Sequence, residues 1–176
     1  FAAQSLGRLK QREATQPLFA LLEENADQDP FLRHAASYAL YRIGDLEAAL
    51  ARRNHASRSV RLGALLQLRR AAHPGIAHFL SDPDPFLVVE AARAIYDVPI
   101  SDALPSLAAL APGESLPSGS DPQNVLALHR RVIGANRSLG TEAAATRLAA
   151  YAARSANPKP MRELALETLA EFAQPA

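Results

Sequence analysis

The chain has no cysteine, no tryptophan and a single methionine among its 176 residues. Without thiols, disulfides, thiolate metal sites and covalent haem attachment are excluded within these residues. Aromatic residues make up only 6% of the sequence, so stacking platforms for bases are scarce. Lysine occurs only at Lys10 and Lys159, and 19 basic residues against 18 acidic ones leave a net charge of +1. That balance creates no field strong enough to draw the chain onto nucleic acid or an anionic membrane. No apolar run approaches the roughly 20 residues of a bilayer span. Val, Ile and Thr are sparse and never alternate over a useful length, so strand signals are missing.

Chemistry-bearing patterns are equally thin. The eight glycines never gather into a phosphate-binding loop, and no G-x-S-x-G occurs. Among His34, His55, His73, His78 and His129, no pair has the i, i+4 separation and acidic neighbour of a helical zinc motif. All five read as surface or boundary histidines. Carboxylates fall mostly at helix starts or beside arginine, as Glu90 does with Arg93. The expectation is a chain that is not itself an enzyme and that holds no catalytic residue, metal or cofactor.

What the sequence does have is alanine and leucine, which dominate a hydrophobic share of 48%. Mixed with Arg and Glu, they favour helix because they lose little rotamer freedom there. Four stretches align with one another: Asp29 to Ala36, Ser57 to Ala64, Asp84 to Ala91 and Pro158 to Ala165. Their anchors Leu32, Val60 and Leu87 stand 28 and 27 residues apart, the period of a helical repeat. A weaker copy at Arg131 to Leu139 makes Ala36, Ala64, Ala91, Ala135 and Ala165 equivalent, with Leu40, Leu68, Ile95, Leu139 and Leu169 four residues later. The first copy reads Leu32, Ala35, Ala36, Ala39, Leu40, Ile43, one buried helical face. Asp29 and Asp84 are placed as caps, with Pro30 and Pro85 at the first helical position.

Shorter stripes lie between the copies: Leu18/Leu21/Leu22, Leu46/Ala49/Leu50, Ile76/Phe79/Leu80 and Leu104/Leu107/Ala108. They predict second helices, introduced by Gly44-Asp45, Pro74-Gly75 and Ser101-Asp102. A helix pair of about 27 residues cannot bury its apolar face alone, so neighbouring pairs must stack. The organisation expected is a single all-α domain over 1–176, with pairs at about 1–26, 29–53, 57–81, 84–110 and 123–154 and a last helix at 158–174. The Pro-, Gly- and Ser-rich stretch 111–122 breaks the period; it is a loop, either a functional excursion or a tolerated insertion. Phe1 in place of Met and the unpaired last helix suggest a piece of a larger multidomain protein.

The run Asp-Pro-x-Leu-(Arg)-x-x-Ala, as in Asp29-Pro30-Phe31-Leu32-Arg33-His34-Ala35-Ala36, resembles HEAT repeats, particularly the short kind of phycobilisome-lyase-like proteins, over most of the chain. The resemblance implies a right-handed, armadillo-like α-solenoid of about five to six helix pairs that mediates protein–protein contact. More narrowly, Asp82 to Phe86, Glu90 to Ile100 and Ala135 to Gly140 resemble the HEAT region of planctomycete and verrucomicrobial haem-binding CxxCH proteins described as membrane-bound dehydrogenases. That likeness implies a β-propeller before this segment, a c-type cytochrome domain after it and a periplasmic or other extracytoplasmic location. The haem motif needs cysteine, so no redox role passes to any residue here.

One local asymmetry remains. Arg42, Arg52, Arg53, Arg58, Arg61, Arg69 and Arg70 share their stretch with only Asp45 and Glu47 as acids. Arg52, Arg53, Arg58, Arg61, Arg69 and Arg70 are the candidate partner-binding residues. They would meet an acidic protein surface or a phosphate backbone, or form a solvated face whose stems cover apolar surface. The function expected is a scaffold whose partners are proteins or neighbouring domains, with no membrane insertion and no small-molecule substrate. The alternative is a nucleic-acid-binding HEAT-like protein using the arginines.

Overall fold

The computed structural model describes residues 2–111 and 120–172. Most of the expected loop at 111–122, and the last residues of the helix expected to end at 174, lie outside the described residues. Among the described residues helix is the only regular structure, and there is no strand. Two compact units divide it, Phe1–Phe79 and Leu80–Ala176.

The first unit contains α1 (Ala2–Arg8), a 3-10 turn (Arg12–Ala14), α2 (Thr15–Asn25), α3 (Pro30–Ile43), α4 (Leu46–Ala51) and α5 (Arg58–Arg70). α3 packs on α5, α2 lies against both, α1 covers α3 and α4 covers α5. Asp29 starts α3 as the spacing predicts: its carboxylate accepts from the backbone N–H of Phe31 at 2.8 Å and of Leu32 at 3.1 Å. Asn25 fixes the approach to that cap, accepting from Asp29 N–H and donating to Asp29 C=O, both at 3.1 Å. Gly44 closes α3 in the left-handed region at φ 78°, where a side chain would be strained, and Asp45 at once caps α4 through Ala48 N–H.

A 3-10 segment, Pro74–Ser81, follows α5. The sequence predicts a second α-helix there. The segment is only eight residues long and opens on Pro74 and Gly75, both poor α-helix formers, so little α-helical propensity opposes the tighter winding. Ile76 and Phe79 still turn inward and are almost completely buried.

The second unit contains α6 (Pro85–Asp97), a 3-10 turn (Ser101–Ala103), α7 (Leu104–Ala108), α8 (Pro122–Leu139), α9 (Glu142–Ala153) and α10 (Lys159–Phe172). α8 is the central helix, packed against α6, α7, α9 and α10, and α9 also packs on α10. Its cap is Asp121, which accepts from Gln123 N–H at 2.9 Å, so Pro122 opens the helix one residue before the start read from the sequence. Asp84 caps α6 through Phe86 N–H at 2.9 Å. Ala36, Ala64, Ala91, Ala135 and Ala165, equivalent in the repeat, are all fully buried. Leu40, Leu68 and Ile95 are buried as well, whereas Leu139 and Leu169 are only partly covered.

Candidate binding groove

Four of the arginines singled out in the sequence stand at the two ends of α5, and Arg52 and Arg53 follow α4. Arg58 and Arg61 stand at the start of α5, Arg69 and Arg70 at its end, about 16 Å away at 1.5 Å per residue. Arg61 is almost buried, donating from Nη1 to the carbonyls of His55 and Ala56 at 2.9 and 3.0 Å. Arg58 pairs with Asp27. Arg52 donates to Ala48 C=O at 2.8 Å and to Gln16 Oε1 at 2.5 Å, with its guanidinium 4.1 Å above the Phe19 ring. Desolvation lowers the Arg52 pKa, and Asp45 partly restores it. Arg53 donates to Leu50 C=O at 3.1 Å. Arg70 lies 5.8 Å over the Tyr38 ring, its pKa lowered first by burial and then by Arg69. Arg52, Arg53, Arg58, Arg61 and Arg70 are thus engaged with the chain's own carbonyls, rings and carboxylates.

A different site, unforeseen in the sequence, lies in the second unit. α7 ends at Ala108 after five residues and leaves a cavity of about 440 Å³ between its end and α9. Buried Val132, Ile133 and Asn136 of α8 and Leu148 of α9 form its floor. Residues 108–111 make one bank; Arg147, Ala150, Tyr151 and Ala153 make the other, with Arg154 and Asn157 beyond the helix end. The wall is largely aliphatic, and among the described residues that line it the ionised side chains are the guanidiniums of Arg147 and Arg154.

Asn136 organises this groove. It is 2% exposed, and its Nδ2 donates to Ala108 C=O and Val132 C=O, both at 2.9 Å. Oδ1 then accepts from Arg147 Nε at 2.8 Å. Two carbonyls on one side and a guanidinium on the other dictate the amide's orientation. Under the same bank, Tyr151 Oη and His129 Nδ1 are 2.6 Å apart, with their rings edge to face. His129 is buried, contrary to the surface or boundary placement read from the sequence. Burial lowers its pKa and pushes the Tyr151 phenol up to about 12. The polar signals lay in the sequence as Asn136 within the stripe Leu128, Val132, Ala135, and as Arg147, Tyr151 and Arg154 at i, i+4, i+7.

Another cavity, about 410 Å³, lies between α6, α8 and α10, and there Arg131 is held by Asp97 at 2.9 and 3.1 Å. Among the described residues no group of three His, Asp or Glu is placed to hold a metal, and no helix is long and apolar enough to cross a membrane. No protein-family model matches the chain, and no curated protein matches it.

Proposed function

We propose that this chain is a HEAT-type α-solenoid segment working as a non-catalytic scaffold, and that the groove between α7 and α9 receives a segment of another protein or of a neighbouring domain. The observation that carries the reading is the complete burial of the five phased alanines together with the stacking of successive first helices, α3 on α5 and α6 on α8 on α10. Small residues at those contacts let the helices approach closely, which is how a stacked array builds its core. Within such an array the second helices line a groove, and here α7 is too short to fill it.

The arginine-rich stretch supports the nucleic-acid alternative less well. Arg52 and Arg53 follow α4 and the other four are split between the two ends of α5, while Arg52, Arg53, Arg58 and Arg61 are bonded within the chain. A peptide-display selection on the intact chain, counter-screened with Ala150→Glu on the exposed bank of the groove, tests the proposal. Enriched peptides that lose binding to the variant support it. Peptides indifferent to the variant, combined with DNA binding that persists at about 150 mM salt, would replace it with the alternative.

A further inference from the structure

We propose that the outward face of α3, in the first unit, docks an acidic amphipathic helix of a partner protein, which lays its apolar side chains on an aromatic stripe and its carboxylates against Arg42 and Arg70. The surface shares no residue with the α7–α9 groove and goes beyond the reading built on it.

The stripe is the first argument. Phe31, His34, Tyr38, Tyr41 and Arg42 fall within about 100° of arc around α3, and all five are exposed. Phe31 is 85% exposed. The chain has only six Phe and four Tyr, yet three of them share this one solvent-facing stripe. Its rings lie in an ordered row: those of His34 and Tyr38 are parallel with centroids 6.3 Å apart, and that of Tyr41 stands tilted 6.1 Å from Tyr38. Side chains at i, i+3 and i+7 form the kind of ridge that packs into the groove of another helix. The other sides of α3 are already taken by α1, α2 and α5. Tyrosine and arginine are also the side chains that anchor interfaces best, because they offer large contact area with a polar tip.

Charge is the second argument. α1, α3 and α5 carry arginines and not one Asp or Glu. Asp27, just before α3, is paired with Arg33 and Arg58 near the starts of α3 and α5. Towards the ends of these two helices, Arg42 and Arg70 have no ion pair among the described residues. Arg70 is half-buried; its guanidinium lies 5.8 Å over the Tyr38 ring, and its Nη1 is buried with no hydrogen-bond acceptor among the described residues. A partly desolvated cation held only by a ring face gains from a carboxylate brought to its open side. Helix C-termini favour cations, which accounts for where the two arginines stand but not for the rings beside them.

The equivalent positions of α6 show what is particular to α3. Phe86 and Tyr96 match Phe31 and Tyr41, but Arg93 takes the place of Tyr38 and is paired with Glu90 and Asp97 of its own helix. On α6 the compensating carboxylates are built into the helix; α3 has none.

The probe is acetyl-Glu-Glu-Leu-Ala-Gln-Leu-Leu-Ala-Gln-Leu-amide, titrated into the intact 176-residue chain labelled with ¹⁵N, with glutamine at both glutamate positions as the neutral control. The acidic peptide is expected to shift the amides of Tyr38, Tyr41 and Arg42 and to bind at least about fivefold more tightly than the control, as two partly exposed ion pairs allow. Phe31→Ser should weaken both peptides alike, by about tenfold at most. Arg42→Gln combined with Arg70→Gln should bring the acidic peptide down to the control level. Because Arg70 is half-buried, the exposed Arg42→Gln alone serves as a second variant and should remove at least about twofold of the advantage. Equal binding of the two peptides overturns the carboxylate recognition, and no shift from either at millimolar concentration overturns the surface. Both results leave the α7–α9 groove and the scaffold reading to their own peptide selection. If oligothymidylate moves the same amides more than the acidic peptide does at about 150 mM salt, the occupant is nucleic acid. If they move on dilution of the chain alone, the occupant is a second copy. Either result overturns the proposal.

Discussion

His129 and Tyr151 share one hydrogen bond, and their two ionisations bracket the range in which the second unit is most stable. Above about pH 6.5 the imidazole is neutral whether the chain is folded or not. Below that value the unfolded chain takes up a proton that the buried ring resists, so stability falls as pH drops through and below 6.5. At the other end, an unfolded tyrosine releases its proton near pH 10, whereas Tyr151 keeps it to about 12, so stability falls again as pH rises between them. Urea midpoints measured across pH should form a plateau between these limits. His129→Gln is expected to flatten the limb just below 6.5, and Tyr151→Phe the alkaline limb; unchanged limbs would mean that neither ring titrates from a buried state. A second residue-level expectation concerns Asn136→Leu. It strips Ala108 C=O and Arg147 Nε of their partner at a buried position, and should cost about 2 kcal/mol in chemical denaturation. A loss below about 0.5 kcal/mol would show that water or a neighbour takes over.

At the level of single helices, the capping carboxylates make separable contributions. Asp29 satisfies two orphan donors of α3, and Asp84 one of α6. Replacing either by Ala should lower stability by about 1 kcal/mol. The Asp29→Ala loss is expected to be the larger, and equal losses in a urea titration would mean that the Leu32 bond adds nothing. These caps, with Pro30 and Pro85 behind them, were legible in the sequence because capping is local: a short side chain, a fixed φ and an apolar stripe suffice. The buried alanines were legible for the same reason, since one face of one helix repeats in phase. The groove was not. It depends on where α7 stops, on a packing distance between separate helices, and on Asn136 occupying a place that elsewhere in the repeat is held by Ser37, Leu65, Ala92 or the exposed Leu166. Periodicity does not say that the amide at that position joins two banks. Arg61 illustrates the converse: a charge that composition assigns to the surface is buried because two carbonyls at the start of α5 meet it.

Across the whole molecule, the helix pairs that pack most extensively join elements at most three helices apart in order, among the described residues. Such local contacts require little loop closure before they are rewarded, so the main folding phase should finish within about milliseconds of dilution from denaturant. A main phase lasting seconds, distinct from slower proline isomerisation, would contradict this. Each compact unit also repeats one arrangement, a helix laid on the next helix but one, α3 on α5 in the first and α6 on α8 on α10 in the second. Against that regularity Asn136 stands out as a crosspiece. Because one amide grips both the last carbonyl of α7 and the guanidinium on α9, a pull on Arg147 is transmitted straight across the cleft to Ala108. Whatever settles between the two banks is therefore felt by both at once.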